Sequence, residues 1–354
     1  MLGTEQSQAE YFFERVLQQT KSIFYHNELI LSVTISLCEL KVRLEFARVN
    51  FAAQFLNAIA HLVIPHEAEP DYVVQIWSET EVGLQMPKIL GSYEDIQLRG
   101  DIPNLSNGDI KTAYFSHSRT LNCINLKTRV AIVCAKSFEE IPAFEVACPL
   151  RAIFSWILQA NNMTFIHTAA VGNKQEAILI GGDSGVGKST TAISCLQLGM
   201  DYLGDDICAI SLKNNTPHVF SVYSSAKIMS QAQNQFTFLR PYQADLRTHV
   251  GTPLEKQVYF LAKMDHIANT KRLIKAIVMP SFKKPESSMQ PFPKGEAARI
   301  LSISTSTLIP GSNAVYLALA AQLTRLTPVF ELNLAHDFDK NYASIQGLLN
   351  AATA

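Results

Sequence analysis

The first 140 residues show the spacing of apolar side chains that is typical of an α+β unit. Residues 40–46 alternate apolar with charged side chains, which indicates a strand with one buried face. Residues 30–37 predict the other strand of a hairpin, and residues 10–24 carry apolar side chains at helical spacing. The remaining elements are a helix over residues 50–63 and strands over residues 72–77, 113–117, 121–126 and 130–135. We therefore expect an α+β unit with a mostly antiparallel sheet.

The rest of the chain mixes strands with helices. Residues 148–160 predict a helix, and residues 167–171 and 176–180 predict a hairpin around a polar turn. Later elements are strands over residues 218–222, 273–279 and 328–332 and helices over residues 294–303, 314–326 and 338–349, the last with Asp337 as N-cap. We expect an α/β fold with mixed sheets, divided into a smaller N-terminal domain over residues 1–145 and a second domain over residues 146–354.

A glycine-rich loop follows the second strand of the predicted hairpin. Gly182, Gly187, Lys188 and Ser189 satisfy the pattern G-x-x-x-x-G-K-[ST], and residues 190–198 after them have helical spacing. In such a loop, glycines let backbone amides turn around a phosphate, lysine reaches the β- and γ-phosphates, and serine places its hydroxyl on Mg²⁺. The predicted nucleotide-binding residues are Gly182, Asp183, Ser184, Gly185, Val186, Gly187, Lys188, Ser189 and Thr190.

Two adjacent carboxylates follow this loop at a distance that suits metal or hydroxyl chemistry. Asp205 and Asp206 lie between the apolar residues 202–203 and 207–210, so we expect a strand there, beside the strand that precedes the loop. Adjacent carboxylates raise each other's pKa unless a cation or a hydrogen-bond donor compensates. Two interpretations stay open: a site for a metal and an accepting hydroxyl, or a solvated Asp-Asp turn.

The segments GDSGVGKST and LGDD together resemble the kinase core of HPr kinase/phosphorylase. More closely, the chain is similar to the HPr-kinase-related kinases of bacterial peptide-modification clusters, which include lasso-peptide precursor kinases. The resemblance implies an HPr-kinase/PEP-carboxykinase-like P-loop core, in which a hairpin leads into the loop. It also implies a catalytic role for His167, although a hydrogen-bonded core histidine is the alternative.

The chain also departs from that family. Thr190 stands where HPr kinases usually carry glutamate, and their glycine-rich C-terminal signature has no equivalent here. Both departures argue against the phosphorylase reaction. The segment around Lys227 and the segment around Lys256 resemble basic substrate-side segments of the related kinases, but either lysine also suits a solvated surface.

Composition limits the possible partners. A net charge of −1 offers no basic excess for nucleic acid, so we expect none as a partner. The apolar segment 51–64 is too short and too often interrupted to span a bilayer, so we expect no membrane contact. Cysteines without C-x-x-C spacing and an N-terminus without signal-peptide character predict a cytoplasmic protein. Homo-oligomerisation remains open.

Among P-loop proteins, the sequence favours a kinase. It lacks the Asn-Lys-x-Asp motif of GTPases and the Leu-Ser-Gly-Gly signature of transporter ATPases. We expect an ATP- and Mg²⁺-dependent kinase that phosphorylates a hydroxyl, in particular a serine of a peptide or small protein. Asp205 would accept the hydroxyl proton, Ser189 and Asp206 would hold Mg²⁺, and Lys188 would stabilise the transferring phosphoryl group. The alternative is a nucleotide-binding regulatory or scaffold protein without transfer activity.

Overall fold

The computed structural model describes residues 7–25, 30–49, 52–65, 69–89, 95–246, 256–283, 286–311 and 313–351. It is a mixed α/β structure in two compact units. The first unit comprises Met1–Leu56 and Leu62–Ala160, and the second comprises Asn57–His61 and Asn161–Ala354. Residues 146–160, which the sequence analysis assigned to the second domain, therefore lie in the first unit. Within the described ranges, none of the helices has both the length and the hydropathy needed to cross a bilayer.

The first unit is built on a seven-stranded sheet in the order β3-β1-β2-β4-β7-β6-β5. Four of its six strand pairings are antiparallel, and the pairings β2–β4 and β4–β7 are parallel. In chain order the elements of this unit are α1 (Gln8–Tyr25), β1 (Leu31–Leu37), β2 (Leu40–Phe46), α2 (Ala52–Leu56), β3 (Val63–Ile64), β4 (Tyr72–Ser78), α3 (Glu79–Val82), β5 (Ile110–Phe115), β6 (Thr120–Asn125), β7 (Val130–Ala135), α4 (Ala143–Val146) and α5 (Arg151–Ala160).

Helix α1 packs its apolar side against one face of this sheet. Phe12, Phe13 and Val16 are buried there in one cluster with residues of the central strands. The indole of Trp77 donates a hydrogen bond of 3.0 Å to Thr20 Oγ1, which satisfies a polar group inside the core. The amphipathic pattern of residues 10–24 is thus explained by burial on the sheet.

The helix expected over residues 50–63 is wrong beyond its first part. Residues 50–51 lie outside the described residues, α2 ends at Leu56, and a 3-10 turn (Ala60–Leu62) leads into β3. The carbonyl oxygen of Ala58 accepts hydrogen bonds from the amide and the hydroxyl of Ser224 within the second unit. Tertiary hydrogen bonds to Ser224 therefore use the carbonyl that a continuing helix would have needed.

The second unit is built on a nine-stranded mixed sheet. Its main path is β11-β9-β10-β16-β13-β12-β8, with β18 paired to β16 and β17 paired to β18, while β14 and β15 form a separate ribbon. In chain order the elements are β8 (Met163–Ile166), β9 (Ala169–Gly172), β10 (Glu176–Ile180), α6 (Lys188–Gln197), β11 (Asp201–Gly204), β12 (Cys208–Ser211), β13 (His218–Phe220), β14 (Ser225–Met229), β15 (Lys256–Phe260), β16 (Arg272–Ser281), β17 (Ser288–Pro291), α7 (Lys294–Ser306), α8 (Asn313–Leu326), β18 (Val329–Asn333) and α9 (Phe338–Asn350).

Strand β16 is the centre of this sheet. It pairs in parallel with β10 along one edge, and along its other edge it pairs first with β13 and then, in parallel, with β18. Helices cover both faces of the sheet: Ile178 and Ile180 pack with α6 and α9, whereas Ala177 and Leu179 pack with α7 and α8. Because both faces of β10 are covered by helices, its successive side chains are all buried, which explains the continuous run of apolar residues before the loop.

The sheet must curl, because two short links join its opposite ends. Residues 167–168 connect β8 to β9, and residues 205–207 connect β11 to β12. In a flat sheet the two strands that each link joins would lie five strand spacings, or about 24 Å, apart. The longer link spans at most about 14 Å. Since β8 pairs with β12 and β9 pairs with β11, the two links run side by side.

The expected position of the strand after the loop is wrong in one respect. Strand β11 pairs with β9 and not with β10, so one strand separates it from the strand that precedes the glycine-rich loop. The hairpin of β9 and β10 is confirmed. Its first strand begins at Ala169, which leaves His167 in the link rather than in the strand.

Candidate active site

The glycine-rich loop connects β10 to α6 in the strand–loop–helix order that phosphate binding requires. Gly182, Gly185 and Gly187 have φ angles of 134°, 86° and 95°, a region that side chains with a Cβ rarely adopt. Asp183 and Ser184 are exposed at the tip of the loop. Two more residues of the predicted set, Val186 in the loop and Thr190 in the first turn of α6, are half-buried. The loop thus presents backbone to solvent at the N-terminus of a helix.

Lys188 is held against the loop. Its Nζ donates hydrogen bonds of 2.8 Å to the carbonyl oxygens of Gly182 and Asp183, and only 7% of the residue is exposed. Burial lowers the pKa of Lys188 below its ordinary value, and the charge of Lys256 acts in the same direction. The two aspartates that follow β11 oppose this shift. The ammonium group therefore lies within electrostatic reach of both carboxylates.

Asp205 is a buried carboxylate whose two oxygens have different surroundings. Its Oδ2 accepts a hydrogen bond of 2.9 Å from the backbone amide of Lys227. Its Oδ1 is buried and has no hydrogen-bond partner among the residues that the structure describes. Burial raises the pKa of Asp205, and the negative charge of Asp206 adds to this, although the nearby Ser189 hydroxyl partly opposes the shift. A buried carboxylate near a serine hydroxyl has the chemistry of a site for a cation or a donating hydroxyl.

Asp206 has a different environment. Its Oδ2 accepts a hydrogen bond of 2.6 Å from Lys227 Nζ, and its Oδ1 lies 3.4 Å from His167 Nε2. Burial by itself would raise the pKa of Asp206, but Lys227 and His167 outweigh it and hold the pKa well below its ordinary value. The two neighbouring aspartates are therefore electrostatically unequal. A solvated Asp-Asp turn, the other interpretation of this pair, does not fit their burial.

The link between β8 and β9 places His167 beside the aspartates. The backbone amide of His167 donates to Thr305 Oγ1 at 2.9 Å. The hydroxyl of Thr168 donates to the carbonyl oxygen of Ile180, the last residue of β10, at 2.9 Å. His167 Nδ1 is buried without a partner in the described ranges of the chain. The link is thus tied to α7 and to the strand that carries the loop.

Lys227 and Lys256 lie on one face of the β14–β15 ribbon. Lys227 pairs with Val258, and Met229 pairs with Lys256, so the two lysines share a face two residues apart across the ribbon. Lys227 contacts both aspartates, as described above. Lys256 is close enough to lower the pKa of Lys188. The structure therefore brings both lysines to the loop and the carboxylates.

The donor set fits Mg²⁺ better than a transition metal. Within the described ranges, no group of three or more His, Cys, Asp or Glu side chains could hold a metal ion. Mg²⁺ does not need such a group, because it is usually bound by one or two carboxylates, a hydroxyl, water and substrate phosphates. Ser189 with Asp205 and Asp206 offers oxygen ligands of this kind.

Several residues of this region carry no motif and were missed by sequence reasoning. Thr168 and Thr305 fix the histidine link, and the backbone amide of Lys227 fixes Asp205. Phe282 and Leu334 border the last glycine of the loop. Phe282 and Leu334 directly follow the strands β16 and β18. This position could have indicated them from the sequence, because ligands of parallel sheets bind at the carboxyl ends of strands.

A scan against protein-family models finds no match, and a search of curated proteins finds no similar protein either. The functional assignment therefore depends on the loop, the two aspartates and their neighbours.

Proposed function

We propose that this protein is an ATP- and Mg²⁺-dependent kinase of the HPr-kinase-related type. It transfers the γ-phosphoryl group to a hydroxyl, in particular a serine of a peptide or small protein in the cytoplasm. The observation that carries the proposal is the buried carboxylate of Asp205, close to the Ser189 hydroxyl and behind a glycine-rich loop that ends in Lys188; its Oδ1 makes no hydrogen bond of standard geometry within the described residues. Neither a solvated turn nor a purely structural loop would explain why this carboxylate is buried there.

The loop residues supply binding and charge stabilisation. The amides of the loop and the N-terminus of α6 suit the β- and γ-phosphates, and the ammonium of Lys188 suits the charge that develops during transfer. Ser189 and Asp206 would hold Mg²⁺, which supplies charge neutralisation at the phosphates when it is bound. The Asp206 carboxylate, 3.4 Å from His167 Nε2 and 2.6 Å from Lys227 Nζ, stays ionised, which suits a ligand of Mg²⁺.

Asp205 fits the role of general base better than Asp206. The pKa of Asp205 is raised and its Oδ1 makes no hydrogen bond within the described residues, whereas Lys227 and His167 hold the pKa of Asp206 low. In this mechanism the acceptor hydroxyl gives its proton to Asp205 as its oxygen bonds to the γ-phosphorus. The bond from that phosphorus to the β,γ-bridging oxygen breaks, and ADP leaves. His167 and Lys227 keep Asp206 charged and in place.

An uncharged hydroxyl is the acceptor that this arrangement favours. A hydroxyl nucleophile needs a base, whereas a carboxylate acceptor would need none. Lys256 adds a positive charge to the face of the ribbon beside the site, which suits acidic or phosphate-bearing partners, whereas the charge of Lys227 is paired with Asp206. The absence of the glutamate at position 190 and of the glycine-rich C-terminal signature favours a kinase without efficient phosphorylase activity.

The test is transfer itself. The protein is incubated with labelled ATP, Mg²⁺ and the peptides or small proteins encoded by neighbouring genes, and mass spectrometry identifies the phosphorylated residue. We expect phosphoserine with the parent protein and none with the Asp205→Asn variant. Tight ATP binding without transfer to any acceptor would instead favour the regulatory or scaffold alternative.

A further inference from the structure

An exposed aromatic side chain stands at the rim of the glycine-rich loop. Phe282 follows directly after β16, and 62% of its surface is exposed. Its ring atoms Cζ and Cε2 lie 3.3 Å and 3.4 Å from the position that a Cβ on Gly187 would take. Gly187 is the N-cap of α6 and the last glycine of the loop. The ring therefore borders the loop while remaining open to solvent.

The backbone around Phe282 is fixed on both sides. The carbonyl oxygen of Ser281 accepts a hydrogen bond of 2.7 Å from the amide of Leu334, and the amide of Lys283 donates to Asn333 Oδ1 at 2.6 Å. These contacts continue the pairing of β16 with β18. A side chain whose backbone is held in this way is positioned before a ligand arrives, which reduces the entropy lost on binding.

Location distinguishes this side chain from other exposed apolar residues. Single exposed apolar side chains are common and need no explanation by themselves. Phe282, however, lies where strand β16 reaches its carboxyl end next to the loop, which is the edge at which open α/β sheets bind ligands. A nucleotide with its terminal phosphates in the loop carries a planar base, and the ring at the rim offers an apolar face on which such a base can stack.

We propose that Phe282 is the platform on which the base of the nucleotide stacks. This inference rests on the proposed function, since it assumes a nucleotide in the loop. Aromatic side chains bind nucleobases through their π-faces with little preference among bases. Phe282 therefore raises the affinity of the site for nucleoside triphosphates over inorganic polyphosphates and leaves the phosphate contacts to the loop.

The experiment compares two probes that share their phosphates. Isothermal titration calorimetry measures binding of ATP and of inorganic tripolyphosphate, each with Mg²⁺, to the full-length parent and to variants. Phe282→Ala removes the ring, and Phe282→Tyr retains it. Phe144→Ala is the matched control, because Phe144 is also an exposed phenylalanine, at 44%, and lies in the first unit.

We expect Phe282→Ala to weaken ATP binding by about 5- to 150-fold, the range that corresponds to loss of one stacked base. Tripolyphosphate binding should stay within about twofold of the parent, and Phe282→Tyr and Phe144→Ala should bind both probes as the parent does. Unchanged ATP binding by Phe282→Ala would overturn the inference. Equal weakening for both probes would also overturn it, because the ring would then support the loop itself. Binding of neither probe to the parent would refute the proposed function as well.

Discussion

Removal of the Lys227 ammonium tests the electrostatic design of the aspartate pair. Lys227 Nζ lies 2.6 Å from Asp206 Oδ2, and its amide donates to Asp205. Its side chain is 13% exposed and that of Asp206 is 22% exposed. The substitution Lys227→Met deletes the charge but keeps most of the aliphatic stem and the backbone hydrogen bond, so it isolates the ion pair.

The burial of the pair sets the expected magnitude. Removing one partner of a buried ion pair leaves an uncompensated charge and costs about 3–5 kcal/mol, whereas exposed pairs contribute about 1 kcal/mol or less. Because the Lys227–Asp206 pair retains some exposure, we expect a loss of about 3 kcal/mol in the free energy of unfolding at neutral pH. The control is Lys283→Met. Lys283 lies 2.5 Å from Glu331, and its side chain is 67% exposed, so water screens the pair at the lysine. Glu331 is itself 8% exposed, but it also accepts a hydrogen bond from Gln290, so the loss should be smaller than for Lys227→Met.

The destabilisation should depend on pH with a defined sign. In the parent protein the pKa of Asp206 is well below its ordinary value, so its contribution to stability is present above the unfolded pKa, about 3.9, and is lost below it. In Lys227→Met, burial should raise this pKa, because only His167 is then left to oppose it. The difference between variant and parent should therefore be largest near pH 7.5 and should shrink as the pH falls toward 4.5.

Urea unfolding at pH 7.5 and pH 4.5 measures both effects. Because the chain has two units, unfolding of the second unit is followed with a probe placed in that unit and is analysed separately from unfolding of the first unit. Equal losses for Lys227→Met and Lys283→Met at pH 7.5 would refute the reasoning from burial. If the stability lost in Lys227→Met grew toward acid pH, the pH dependence expected from the pKa of Asp206 would be wrong.

Four further outcomes are expected. Lys188→Ala should abolish binding of ATP and tripolyphosphate in calorimetry, and binding equal to the parent's would contradict the loop assignment. Asp205→Asn should lower the transfer rate by orders of magnitude with ATP affinity nearly unchanged, whereas Asp206→Asn should raise the Mg²⁺ concentration needed for activity; the opposite pattern would exchange the two roles. Gly187→Ala, which adds a clash with Leu334 at 2.8 Å to a strained φ, should weaken ATP binding more than Gly185→Ala, which has free space for the methyl group; equal effects would mean that strain alone acts. Phosphorylated product presented with inorganic phosphate should release no pyrophosphate at a rate comparable to transfer, and release at that rate would restore the phosphorylase reaction.

Local sequence signals predicted the elements that local physics determines. The alternation of β2, the hairpin of β9 and β10 and the glycine loop before α6 are all visible in the sequence and present in the structure. The N-cap at Asp337 is another case: its side chain accepts a hydrogen bond from the amide of Asp339 at the start of α9. Each of these features depends on residues within a few positions of one another.

Long-range pairing was not visible in the sequence. No spacing rule indicates that β11 pairs with β9, because that choice depends on the curl of the whole sheet. The carbonyl of Ala58, just beyond the end of α2, accepts hydrogen bonds from Ser224, which lies far along the chain. The opposite pKa shifts of Asp205 and Asp206 also depend on the three-dimensional position of Lys227. The sequence indicated only that Lys227 lies on a predicted substrate-side segment.

The pairing of β16 has a consequence for the order of events during synthesis. The strand before the loop, β10, must wait for its parallel partner β16, which begins at Arg272, and β16 in turn pairs with β18, which ends at Asn333. A ribosome-bound chain that ends before β16 carries the complete glycine loop but lacks the sheet that supports it. Nucleotide binding should therefore appear late in translation, and ATP should begin to protect nascent chains from proteolysis only after β18 has left the exit tunnel.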